Sequence, residues 1–187
     1  ARFFEPRILA HGIDRGITIG PAIRRKFPEF RDPASGMFGV ALDIGTTTVV
    51  AKLIDLADGS CKATASAVNP QTKWGDDVIS RIAHAQTEDG LEELHIAIIE
   101  GVGSLTDELC KEANIEPWDI CEVVAVGNTT MNHLFLKFPV EQLGQAPYKA
   151  YSTEAHDRDG AHLNLNMNPS GNVHTVENIA SFVGSDT

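Results

Sequence analysis

Two short segments of the sequence combine a carboxylate with glycine and hydroxyl side chains, which are residue types that bind phosphate and magnesium. The first is Asp43-Ile44-Gly45-Thr46-Thr47-Thr48 and the second is Gly184-Ser185-Asp186-Thr187. Glycine lets the main chain approach an anion closely, and N–H groups and hydroxyls donate to phosphate oxygens. A carboxylate repels phosphate but can hold a Mg²⁺ ion that bridges the two. The pair therefore predicts two loops that bind one polyphosphate, with an ordinary hairpin turn as the alternative for each.

Predicted strands lie next to both segments and would hold them at the edge of a sheet. An apolar run over 38–44 leads into the first segment, and apolar or β-branched runs over 49–56 and 60–68 follow it. These runs predict a three-stranded meander with hairpin turns. A further apolar run over 179–183 predicts a strand that leads into the second segment.

Helices are predicted between the two segments. An apolar stripe beginning at Val78 predicts one helix, with a preceding Asp as its cap. Leucines and other apolar residues at steps of three and four from Leu91 to Leu109 predict a longer helix that ends near Asn114. A short strand over 123–126, a turn at Gly127-Asn128 and a helix over 129–136 follow. Periodicity is weak over 140–172, which predicts loops with short strands at most.

Composition limits the classes of partner and the compartment. The 187 residues include 15 basic and 26 acidic side chains, a net charge of −11, which disfavours nucleic acid as a partner. No apolar stretch approaches the length of a membrane span, so no membrane interaction is expected. Three cysteines without close spacing disfavour a disulfide framework and fit a cytoplasmic protein. Residues 1–36 are interpreted as a linker or the tail of a preceding domain, and 37–187 as a single lobe.

The run 39–49 resembles the first phosphate motif of the actin-like ATPase superfamily. Further blocks at 69–71 with 75–82, at 126–135 and at 178–187 narrow the resemblance to the reductive activators of corrinoid-dependent methyltransferases, including the activating enzymes of O-demethylases. This resemblance implies an α/β fold of the ribonuclease-H-like (actin-like ATPase) type, with a mixed sheet and helices on its faces. Residues 37–187 would form the first lobe and end at the start of the second.

The family resemblance also implies an activity and its cofactors. Such activators use ATP and Mg²⁺ to help an electron restore Co(I) on a partner corrinoid protein, and a homodimer is a further expectation. The electron arrives through a two-iron two-sulfur cluster, which we expect only in an N-terminal domain absent from this chain, since three cysteines cannot supply four thiolates. The adenosine-binding motif would belong to the second lobe.

The same resemblance assigns roles to individual residues. Asp43 and Asp186 would be the catalytic carboxylates and the Mg²⁺ ligands. The remaining residues would contact the nucleotide phosphates or connect the loops, namely Gly45, Thr46, Thr47, Thr48, Gly127, Asn128, Gly184, Ser185 and Thr187.

Two alternatives remain open from the sequence. The lobe could be an interaction or dimerisation module that never binds nucleotide productively, because contacts to phosphate from one side leave adenine and ribose unheld. It could also belong to a small-molecule kinase of the same superfamily. Gly101-Val102-Gly103 is too incomplete for a dinucleotide-binding motif and is interpreted as close helix packing. Among the histidines, only His133 lies within a family-like block at a position worth testing.

Overall fold

The computed structural model describes residues 36–180 and 184–185, so the interpretation of residues 1–36 as a linker falls almost wholly outside the described residues. Within the described ranges the chain forms six strands and three α-helices. The strands are β1 (Phe38–Ile44), β2 (Thr48–Asp55), β3 (Cys61–Val68), β4 (Ile120–Gly127), β5 (His156–Asp159) and β6 (Asn172–Thr175). The helices are α1 (Val78–His84), α2 (Glu88–Ala113) and α3 (Thr129–Phe135).

The strands form one mixed sheet in the order β3-β2-β1-β4-β6-β5. β2 pairs antiparallel with both β1 and β3, which confirms the predicted meander. β4 then pairs parallel with β1, and β6 pairs parallel with β4. The described residues thus form a mixed sheet with helices, as the predicted fold class requires. Since β1 and β4 are parallel, the turns that follow them lie at the same edge of the sheet.

The core lies between the sheet and α2. On β1, Val40, Leu42 and Ile44 are buried while Ala41 and Asp43 are exposed, the alternation expected of a strand with one covered face. The apolar stripe of α2, predicted from the sequence, is buried and includes Leu94, Ile98, Val102, Leu105 and Leu109. α2 contacts β2 and β3, and α3 contacts β4.

Both ends of α2 follow from local chemistry. The Thr87 side chain accepts a hydrogen bond from the Gly90 N–H at 3.1 Å and caps the start of the helix. Asn114 ends it in the left-handed conformation with φ 54°, as the sequence predicts. A Cβ on Gly101 would lie 2.9 Å from Pro70 Cγ, which confirms close packing at this glycine, but a Cβ on Gly103 would meet nothing within 4 Å, so the prediction is wrong there. No helix among the described residues is long and apolar enough to cross a membrane.

The prediction of a strand over 179–183 is wrong for Ile179 and Ala180, the two of these residues that the structure describes. Ile179 and Ala180 lie in a bend, and residues 181–183 are outside the described residues. The strand at this end of the chain is instead β6, which pairs Glu122–Ala125 of β4 with residues 172–175. Ile179 is 71% exposed, so its apolar side chain is not part of the core. Because β6 contains polar residues, its sequence does not form an apolar run that would predict a strand.

Candidate functional site

The first predicted phosphate segment forms the turn between β1 and β2. Asp43 lies on the exposed face of β1, and Thr47 and Thr48 are exposed at the turn and the start of β2. A Cβ on Gly45 would lie 2.5 Å from the Thr48 carbonyl oxygen, so any larger residue would force the turn open. The turn therefore keeps its hydroxyl side chains and main chain at the edge of the sheet.

Buried polar side chains hold the carbonyl groups of this turn. Asn69 donates from Nδ2 to the Gly45 carbonyl oxygen at 2.8 Å and from its main-chain N–H to the Thr47 carbonyl at 2.8 Å. The Arg81 guanidinium donates to the Thr46 carbonyl. In a planar trans peptide the C=O and the following N–H point in opposite directions. The N–H groups of Thr46 and Thr47 consequently point away from Asn69 and Arg81, where an anion could accept from them.

The predicted connecting residues, Gly127-Asn128, lie beside the first phosphate segment. Gly127 ends β4 opposite Ile44 of β1. Asn128 caps α3, because its Oδ1 accepts from the Met131 N–H at 3.0 Å. Its Nδ2 donates to the Thr46 hydroxyl at 3.0 Å. One amide side chain thus fixes the start of a helix and joins it to the first turn.

The described part of the second phosphate segment, Gly184-Ser185, reaches the same place. The Ser185 N–H donates to the Gly127 carbonyl at 3.0 Å, and the Gly127 N–H donates to the Ser185 hydroxyl at 3.3 Å. A Cβ on Gly184 would lie 2.0 Å from the Gly127 carbonyl oxygen, so only glycine permits this approach. Asp186 and Thr187 lie outside the described residues. The structure therefore brings together Gly45-Thr46, Gly127-Asn128 and Gly184-Ser185, while the placement of the second carboxylate stays a prediction.

The hydrogen bonds of His133 have a structural role. Its Nδ1 lies 2.6 Å from the Thr129 carbonyl oxygen, and its Nε2 accepts from the Ser152 N–H at 3.3 Å. A ring that donates at Nδ1 and accepts at Nε2 is neutral. Burial lowers the pKa of His133, which favours this neutral form. These contacts join α3 to the loop around Ser152 and involve neither phosphate segment.

A family model described as the RACo middle region matches residues 38–187. The chain belongs to this family. Over 152 residues it is 38% identical to the corrinoid activation enzyme RamQ of Eubacterium limosum, covering 81% of this chain and 26% of RamQ. It also resembles a solved structure described as a reductive activator for a corrinoid, iron-sulfur protein, with TM-score 0.80 and 39% identity over 83% of this chain and 25% of that one. The chain thus spans about a quarter of the length of both relatives.

The sequence alone did not identify the buried polar residues that hold the segments of this site together. Asn69 and Arg81 are each 0% exposed, and Asn132 is 1% exposed. Asn132 Nδ2 donates to the Gly127 carbonyl at 3.1 Å and to Asn178 Oδ1 at 2.7 Å. All four residues lie within the family-like blocks. A polar side chain on the apolar side of a predicted helix, as at Arg81 beside Ile82, could have indicated a buried polar residue.

The residues of the converging segments fit a polyphosphate with magnesium better than a metal ion alone. Across the described ranges no three His, Cys, Asp or Glu side chains lie close enough to hold a metal. Mg²⁺ takes most of its ligands from phosphate and water when a nucleotide is bound, so one or two carboxylates suffice. A carboxylate such as Asp43, main-chain N–H groups and threonine hydroxyls are the kinds of ligand and donor that such a complex uses. The three cysteines are free thiols, Cys61 exposed and Cys110 and Cys121 buried.

Proposed function

We propose that this chain supplies phosphate and Mg²⁺ contacts of an ATP-dependent reductive activator that restores Co(I) on a partner corrinoid protein. The observation that carries the proposal is the convergence of three segments, Gly45-Thr46, Gly127-Asn128 and Gly184-Ser185, through direct hydrogen bonds. Membership of the RACo middle-region family and the names of the two relatives support the same function. The iron-sulfur cluster, the corrinoid partner and a homodimer are part of this proposal for the whole protein.

The residues of this chain would act by positioning and charge stabilisation. The N–H groups of Thr46 and Thr47 and the hydroxyls of Thr47 and Thr48 would donate to the β- and γ-phosphates. Asp43 would hold Mg²⁺ or orient a water, and Asp186 would face the metal from the second loop. When bound, MgATP supplies the free energy of hydrolysis for an unfavourable electron transfer. Gly127 and Asn128 would keep the two loops in register.

Calorimetric titration of the full-length protein with ATP, with and without Mg²⁺, tests the proposal. Asp43→Asn keeps the shape of the side chain and removes its charge. We expect it to weaken binding of MgATP by about tenfold or more, the size of one lost charge-assisted contact, and to leave binding of Mg²⁺-free ATP unweakened. Asp186→Asn should act in the same direction.

Asp58→Asn is the matched control, since Asp58 lies in the exposed turn between β2 and β3 at the opposite end of β2. It should bind MgATP like the unchanged protein. Absence of ATP binding by the unchanged protein, or equal affinities in both aspartate variants and the control, would contradict the proposal. Visible absorption spectroscopy of Co(II) reduction on the corrinoid partner then tests whether ATP binding is needed to activate that partner.

A further inference from the structure

We infer that Arg81 is a positioning residue for nucleotide phosphate, acting through the Thr46 carbonyl and through its own buried charge. This inference rests on the proposed function and assigns a role to a residue outside both phosphate loops. Arg81 lies on α1, and 35 residues separate it from Thr46 in the sequence. The guanidinium reaches the back of the turn between β1 and β2 from the side opposite its outward N–H groups.

The charge of Arg81 is buried. Arg81 is 0% exposed, and its hydrogen bonds go to neutral acceptors: the Gly75 carbonyl at 3.0 Å, Gln71 Oε1 at 3.3 Å and the Thr46 carbonyl. Burial lowers the pKa of Arg81, while the charges of Asp76 and Asp77 raise it. Arginine nevertheless stays protonated in proteins, so a full positive charge lies behind the turn.

The contacts of Arg81 with neutral groups do not account for a full charge at this position. A buried charge is costly to desolvate, and neutral acceptors offset less of that cost than a carboxylate would. Arg81 Nη1 also donates to Met131 Sδ at 3.2 Å, which is another neutral acceptor. A charge in this position gains its value when an anion is present on the other side of the turn.

Arg81 also helps to fix the geometry of the turn between β1 and β2. Asn69 holds the carbonyls of Gly45 and Thr47, and Arg81 holds the carbonyl between them. Without Arg81 the central peptide would be free to rotate, and the Thr47 N–H would lose its fixed direction. Arg81 therefore completes a set of three held carbonyls. Because the Thr47 N–H is already ordered before phosphate binds, the free energy cost of ordering it does not weaken binding.

The test compares ligands with and without phosphate in the full-length protein. Arg81→Met keeps length and apolar volume, and Arg81→Lys keeps the charge with fewer donors. We expect Arg81→Met to weaken MgATP by about tenfold or more and adenosine by less than about twofold, because only phosphate senses the loop and the charge. Arg81→Lys should recover part of the MgATP affinity.

Leu109→Ala provides a matched control for general destabilisation. Leu109 is fully buried near the end of α2 that leads to the start of β4, away from the turns. Its truncation should lower the melting temperature without changing the ratio of MgATP to adenosine affinity. Equal weakening of both ligands by Arg81→Met, or unchanged MgATP binding, would overturn the role of Arg81. Failure of the unchanged protein to bind MgATP would instead overturn the proposed function.

Discussion

The Asn128 side chain joins the start of α3 to the first predicted phosphate segment by donating from Nδ2 to the Thr46 hydroxyl at 3.0 Å. Its other end, Oδ1, accepts from the Met131 N–H and caps α3. The hydroxyl of Thr46 accepts this bond and retains its own proton for a ligand oxygen. An amide is the side chain that performs both tasks, because it has an acceptor and a donor on the same group.

Substitutions at Asn128 should separate its two tasks. Asn128→Asp keeps the capping oxygen but replaces the donor by a second acceptor. We expect its free energy of unfolding to stay within about 0.5 kcal/mol of the unchanged chain, since Asp caps helices as well as Asn does. Its MgATP affinity should fall by about tenfold or more, because a carboxylate then faces the phosphates. Urea unfolding and calorimetric titration measure the two effects.

Asn128→Ala supplies the comparison. It removes the cap and the bond to Thr46 together, so it should lower the free energy of unfolding by about 1 kcal/mol. An Asn128→Asp variant that loses as much stability as Asn128→Ala, with unchanged MgATP affinity, would show that Asn128 serves only α3.

Gly184→Ala should detach the second phosphate segment from Gly127. The added Cβ would lie 2.0 Å from the Gly127 carbonyl oxygen and 2.4 Å from Asn128 Cα, and neither backbone atom can move cheaply. The contacts of Ser185 with Gly127 should be lost with it. We expect MgATP to bind the full-length variant about tenfold or more weakly, a cost of about 1.4 kcal/mol.

Gly103→Ala is the matched control for this change. Gly103 lies inside α2, where an added Cβ meets nothing within 4 Å. The same substitution should there stabilise the chain by about 0.5–1 kcal/mol and leave nucleotide affinity unchanged. Tight MgATP binding by Gly184→Ala would show that the Gly184 contact does not matter for the site.

The sequence predicted those parts of the fold and the site that depend on local pattern. The meander, α2 with its end at Asn114 and the turn after β4 follow from periodicity and from Gly and Asn at defined positions. The contacts of Arg81 and Asn69 with the first turn could not be predicted, because they join residues far apart in the chain. β6 was missed for the same reason, since pairing with β4 stabilises a strand whose own sequence is polar.

The three cysteines should differ in reactivity with a thiol reagent. Burial raises the pKa of Cys110 to about 11 and that of Cys121 to about 12, so both remain protonated at neutral pH. Cys61 is exposed on β3. Maleimide treatment of the native chain, followed by mass spectrometry, should modify Cys61 alone, and all three cysteines should react in urea. Modification of Cys121 without denaturant would contradict the burial of β4.

Glu122 should make stability depend on pH. It is 4% exposed on β4, on the sheet face opposite α2, and accepts from Asn172 Nδ2 at 2.9 Å. Burial raises its pKa from 4.5 to about 8; the Asn172 bond partly offsets this, and the charge of Asp157 adds to it. A raised carboxyl pKa means that the folded chain binds the proton more tightly than the unfolded chain does. Its contribution is therefore full below pH 4.5 and is lost as the pH rises through about 8.

Glu122→Gln tests this dependence, because glutamine keeps an oxygen for Asn172 and carries no charge. Its advantage in free energy of unfolding over the unchanged chain should be larger at pH 8.5 than at pH 5 by on the order of a few kcal/mol. Urea unfolding at both pH values measures the difference between variant and unchanged chain, in which the other ionisable groups largely cancel. Glu100→Gln, the same change at an exposed position on α2, is the control and should show no such trend. Equal effects of Glu122→Gln at both pH values would mean that Glu122 is ionised in the folded chain throughout this range.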